Sequence, residues 1–192
     1  MTEGAQFREA FNRIVRDARF AGPLQAASLA GQLGIWTKEL TALVVESCQS
    51  LGWQASAKNH RLELLPEPRS EYLGMDVMVF GDGGKRWRFP LAVMELENQA
   101  SADRIGYSLW KVLCVRAALR AVFCYRKDAG EVASLMNQLS RDVIASMGLT
   151  ERADLAGETM VVVGSRGDAD TFPYGFFHWW ELNRSTGKFE RI

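Results

Sequence analysis

E-Y-L-G-M-D-V-M-V-F-G-D-G-G-K-R-W-R-F-P-L-A-V-M-E-L-E-N-Q-A-S-A-D-R-I-G-Y-S-L-W-K occupies residues 71–111. Met75 to Phe80 is apolar except for Asp76, and Leu91 to Leu96 is apolar except for Glu95, with Glu97 next. Both runs read as strands. A carboxylate inside such a strand is costly to bury unless it is paired or holds a cation. Side chains alternate along a strand, so Glu95 and Glu97 share a face. Gly81-Asp82-Gly83-Gly84 signals a hairpin turn that sets Asp76 beside them. Three carboxylates then converge, a donor set suited to a hard divalent cation such as Mg2+.

After the second strand, Ser101 caps a helix expected over residues 102–119, with Ile105, Leu109, Val112 and Leu113 as its buried stripe. Arg104, Tyr107, Ser108 and Lys111 fall on one face of it. Before the strands, Thr37 is the expected cap of a helix reaching residue 51. Leu40, Leu43, Val44 and Ser47 point inward there, and Glu46 borders the stripe. Residues 53–57 and 61–65 read as a bent strand or a small hairpin around Lys58-Asn59-His60.

Residues 121–125 form a short apolar run, a buried strand parallel to a neighbour. A helix is expected over 130–147 and a strand over 159–163. An aromatic strand over 175–182 pairs with residues 188–192. At the other end, residues 3–20 read as one amphipathic helix, with Phe7, Phe11, Ile14 and Val15 inward and Arg8, Arg13, Arg16 and Arg19 around the rest. Gly22-Pro23 is expected to end it, ahead of a short helix over 24–33.

These features resemble the restriction-endonuclease-like superfamily, the PD-(D/E)xK nucleases. In that family an Asp sits on one strand and an acidic-x-Lys motif on the next. Asp76 matches the first acid, and Glu95-Leu96-Glu97 the second motif, with Glu97 where the family usually has Lys. The resemblance covers residues 37–126. It implies an α/β (α+β) fold: a mixed central sheet flanked by helices, in the order α-β-β-β-α-β. The 192 residues then make one domain, with a helical extension over 1–36 and added elements over 127–192.

The resemblance also implies roles. Asp76, Glu95 and Glu46 are the expected ligands of Mg2+ or Mn2+. Asp76, Glu95, Glu97 and Lys111 are the expected catalytic set, with Lys111 supplying the positive charge that Glu97 does not. Lys85, Arg86 and Arg88, a basic run with Trp87 at the hairpin tip, read either as contacts to DNA or RNA or as charges that protect an edge strand, and the resemblance adds Arg104 and Ser108 on the helix as contacts to the nucleic acid. The implied activity is phosphodiester hydrolysis. The alternative is a non-catalytic module of the same fold that binds nucleic acid or a protein partner.

Composition sets the outer limits. A hydrophobic fraction of 47% supports a sizeable core, and 23 basic residues balance 23 acidic ones. That balance weighs against a protein that coats nucleic acid. It leaves a nuclease open, because an acidic metal site lowers the total charge. No apolar run has the length of a membrane span, and M-T-E-G-A-Q-F-R does not read as a signal peptide. Cys48, Cys114 and Cys124 all fall in apolar segments, so all three are expected buried and reduced in a cytoplasmic protein. His60 and His178 stand too far apart in sequence for a zinc site. The aromatic strand at His178-Trp179-Trp180 suits a base-stacking platform, a core strand or an oligomer interface, such as that of a homodimer.

Overall fold

The computed structural model describes residues 1–83 and 86–192, with Ala129 by its backbone alone. Three helices come first: α1 (Glu3–Ile14), α2 (Ala18–Leu29) and α3 (Leu33–Gln49). Strands β1 (Gln54–Ala57), β2 (Val77–Phe80) and β3 (Ala92–Leu96) follow, then α4 (Ala102–Leu113) and β4 (Leu119–Arg126). The chain continues through α5 (Ala129–Asp142), α6 (Leu149–Ala153), β5 (Glu158–Ser165), β6 (Phe177–Asn183) and β7 (Lys188–Arg191).

Among the described residues, seven strands form one mixed sheet, ordered in space as in sequence. β1, β2 and β3 pair antiparallel; β3, β4 and β5 pair parallel; β5, β6 and β7 pair antiparallel. Parallel neighbours need crossover connections, and α4 and α5 supply them. Both lie on one face, where Ile105, Leu109, Val132 and Leu135 pack against Val93, Val122 and Val161. On the other face α1, α2 and α3 bury Phe7, Phe11, Leu24, Leu40 and Leu43 against Val79, Met94 and Phe123. Alternate residues of each central strand thus feed opposite cores. This is why β4 reads as a nearly unbroken apolar run rather than an alternating one.

Several expected boundaries shift, each for a local reason. The first helix is two: the Asp17 side chain accepts from Arg19 N–H and starts α2, while Pro23 lies inside α2 instead of ending a helix. Thr37 does not cap α3. It sits inside, donating its hydroxyl back to the Leu33 carbonyl at 2.8 Å, and the helix begins at Leu33. The helix expected to residue 119 ends at Leu113, because Leu119 already belongs to β4. Residues 61–65 are not a strand; only the Ala57–His60 bridge remains of that hairpin. The strand pairs 2–3 and 6–7 form as expected. All three cysteines are free, but only Cys48 and Cys124 are buried. Cys114 follows the last turn of α4 and is exposed.

Candidate active site

The register of the sheet builds the site. β2 and β3 pair Val77 with Met94 and Met78 with Val93. The strand expected from Met75 begins only at Val77, and Asp76, just before it, comes beside Glu95. β1 and β2 pair Ala57 with Val77, so Lys58, the first residue of the turn after β1, comes near enough for its charge to act on Asp76. Asp76 has the parity of Met78 and Phe80, and Glu95 that of Val93. Both therefore point to the α4–α5 face. There α4 lays Lys111 over them, and Lys111 Nζ lies 2.8 Å from Glu95 Oε1.

Contacts fix each group. Asp76 Oδ2 accepts from Leu96 N–H at 2.7 Å, and Asp76 N–H donates to Glu95 Oε1 at 3.4 Å. Lys111 also donates to the Gly74 carbonyl. That carbonyl is aimed by a turn in which Leu73 and Gly74 hold φ of 56° and 65°. A leucine in the left-handed region is unusual and marks a turn held in place by its surroundings. Among the described residues, neither Asp76 Oδ1 nor Glu95 Oε2 has a hydrogen-bond partner. These two oxygens are free to take a ligand.

The electrostatics follow from burial. Glu95 is only 6% exposed. Loss of water pushes both carboxyls above the usual carboxylate range. For Glu95 the Lys111 hydrogen bond pulls back and the Asp76 charge pushes further up. For Asp76 the Leu96 N–H, Lys111 and Lys58 pull back, while Glu97 pushes up. Burial is the largest cause for both carboxyls, and the nearby cations only partly offset it.

Some expected site residues do not join it. Glu97 feels Asp76, but its Oε1 accepts from Gln99 N–H at 2.7 Å, and among the described residues no three His, Cys, Asp or Glu side chains gather as a metal cage. The site has two carboxylates instead of three. Glu46 lies on α3, whose buried stripe packs on the opposite face of the sheet, and it faces Arg19 at 3.7 Å. It is not brought to the other acids. Arg86 and Arg88 lie in the β2–β3 connection, at the far end of both strands. Arg88 is held there by Gln54. From Ala92 to Glu95 alone is about 10 Å at ~3.3 Å per residue. Lys85 lies outside the described residues. On α4, Arg104 is exposed and Ser108 is 3% exposed, on the same side as Lys111.

Lys58 is the site residue that sequence reasoning missed. Its signal was the Lys58-Asn59 turn pair, which gains meaning only once the β1–β2 register is known. Asn59 takes φ 64°, and His60 N–H donates to Ala57 O at 2.9 Å to close the turn.

No protein-family model, no curated protein and no solved structure matches the chain. Among the described residues, no helix is long and apolar enough to cross a membrane.

Proposed function

We propose that the chain is a metal-dependent phosphodiesterase acting on nucleic acid, built on a restriction-endonuclease-like core formed by α3, β1, β2, β3, α4 and β4. The observation that carries this reading is the cross-strand pair Asp76–Glu95 with Lys111 Nζ 2.8 Å from Glu95 Oε1. Two desolvated carboxylates and an ammonium recreate the acid-acid-lysine set of that family. The Lys comes from the helix instead of from position 97.

The donor set fits Mg2+ or Mn2+. Mg2+ keeps several waters and is usually held by one or two carboxylates plus phosphate oxygens, and Asp76 Oδ1 and Glu95 Oε2 are the free oxygens here. When bound, the cation polarises the phosphate and lowers the pKa of water. The chain's own groups do the rest. Asp76 at the entrance of β2 and Glu95 in β3 would hold the cation. Lys111 faces the negative charge that develops on the phosphoryl oxygens.

The test is cleavage of labelled single- and double-stranded DNA and RNA with Mg2+ or Mn2+, set beside thermal unfolding with and without the cation. The expected result is cleavage abolished by chelation and by Asp76→Asn, with a cation-dependent rise in Tm that Asp76→Asn removes. No cleavage on any substrate together with no rise in Tm overturns the reading. One observation favours the non-catalytic alternative. Lys111 already bridges Glu95 and the Gly74 carbonyl, so the pair is partly neutralised without any metal. The Tm arm separates the two readings.

A further inference from the structure

The Lys58 turn belongs to two features at once. It acts on Asp76, and it forms one wall of a cleft of about 750 Å³. The opposite wall is the first half of α3. Thr37, Lys38 and Thr41 line that side, and Lys58, Asn59 and His60 line the other. Nearly every polar group in it is a cation, a hydroxyl, an amide or an imidazole. The one acid, Glu39, faces Lys38 at 3.9 Å.

The walls are fixed in place. Lys58 stands on a two-residue turn closed by hydrogen bonds between Ala57 and His60. Thr37 is tied to the site's other rim, because Asn98 donates to its hydroxyl from just beyond Glu97. Asn98 Oδ1 is buried with no partner, an acceptor left over at the seam between cleft and site.

We propose that this cleft seats one strand of the nucleic acid beside the scissile bond. Lys58 and Lys38 pair with the phosphates that flank the scissile one, and Thr37 and Asn59 hydrogen-bond to the sugar or base between them. The inference rests on the phosphodiesterase reading of the Asp76–Glu95 site. The volume falls in the ~300–1,000 Å³ range of small-ligand pockets, room for a nucleotide or two of a single strand. The cleft lies on the α3 side of the sheet and the acids on the α4–α5 side; the two meet at the end of the sheet, where Lys58 follows β1 and Asn98 beyond β3 bonds Thr37, so a strand seated in the cleft passes over that end to reach the carboxylates. This positions the substrate by lysine charge, while the acids alone would repel it.

The test is fluorescence anisotropy of labelled single-stranded and hairpin-duplex oligonucleotides, in EDTA to prevent cleavage, over a series of salt concentrations. The proteins are wild type, Asp76→Asn and the double variant Lys38→Ala/Lys58→Ala. Both lysines are exposed, so the double variant should fold with one cooperative transition and at most a small fall in Tm from loss of the Lys58 charge near Asp76. Its affinity for the single strand should fall about tenfold or more, and the slope of log K against log salt should shrink by about 0.7 per lost phosphate contact. Wild-type affinity and slope in the double variant would overturn the cleft. If Asp76→Asn abolishes cleavage at the same time, the phosphodiesterase reading stands without it. Loss of affinity and slope in a protein that cleaves nothing supports the cleft and removes the phosphodiesterase. Tighter binding of the duplex, with the slope change confined to it, overturns the single-strand assignment.

Discussion

Asp76, just before β2, and Glu95 of β3 are neighbouring like charges, and such a pair disfavours the folded state. Burial raises both carboxyls, so the folded chain holds these protons more tightly than the unfolded one. Stability is therefore greatest below the unfolded carboxyl pKa and declines as pH rises through the raised values. Asp76→Asn keeps an acceptor for Leu96 N–H and removes one of the charges. In metal-free buffer at neutral pH it should raise Tm by a few degrees, since about 1 kcal/mol moves Tm by about 2–4 °C at this size. The gain should fade as pH is lowered to 4. A lower Tm at neutral pH would show that Lys58 and Lys111 already offset the charge. Lys111 behaves differently from the exposed helix position its sequence suggested, because its side chain is 21% exposed and that of its partner Glu95 is 8% exposed. Lys111→Ala should lower cleavage about a hundredfold or more. It should also cost about 1–3 kcal/mol of stability by leaving Glu95 unpaired, and Mg2+ should restore part of that. Unchanged cleavage would end its assigned role.

The central strands β4 and β5 depend on how their entry loops meet. Glu158 N–H donates to Ala118 O at 2.8 Å just before the strands pair. Gly157 sits at φ +79°, and a Cβ there would lie 2.2 Å from the same Ala118 oxygen. Arg120, only 3% exposed, ties the seam by donating to the carbonyls of Val115 at 3.0 Å and Ala156 at 2.7 Å. Gly157→Ala meets both a left-handed backbone and a backbone clash. It should cost at least the ~1–3 kcal/mol of the conformation alone, visible as a clear drop in the midpoint of urea unfolding. A midpoint within error of wild type would show that the loop moves aside. Nothing local in the sequence marks this junction, because Gly157 and Ala118 are 39 residues apart in the chain.

Across the whole molecule, the N-terminal helices are no appendage. Phe7 and Phe11 of α1 are fully buried, and both rings meet Phe123 of β4 and Trp179 of β6, at centroid distances of 5.4 to 6.4 Å. The Glu158 carboxylate at the start of β5 accepts from Thr2 Oγ1 and Gly4 N–H, holding the first turn of α1 to the sheet. Helices 1 to 3 therefore melt with the sheet. Phe11→Ala should cost about 3–5 kcal/mol and lower one cooperative transition in both near- and far-UV circular dichroism. A separate early transition of helical signal would show that α1 unfolds alone.

The sequence by itself determined that Glu95 lies in an apolar strand, that Asp76 stands at the entrance of another, where a strand over the whole run was expected, and that a helix carrying Lys111 follows them. An isolated acid in an apolar run is a local signal that needs no partner to be read. It also determined the order of elements from α3 to β4, because hydrophobic period separates strands from helices. Only the tertiary structure decided the rest. The β1–β2 register brought Lys58 to Asp76, and the sharing of α1–α3 and α4–α5 between the two faces put Glu46 on the wrong side of the sheet. The short turn Leu73–Gly74 aimed a carbonyl at Lys111. Each of these depends on which residues far apart in the chain become neighbours. Periodicity within one segment fixes the face a side chain takes on its own element, and carries no record of what that face will meet.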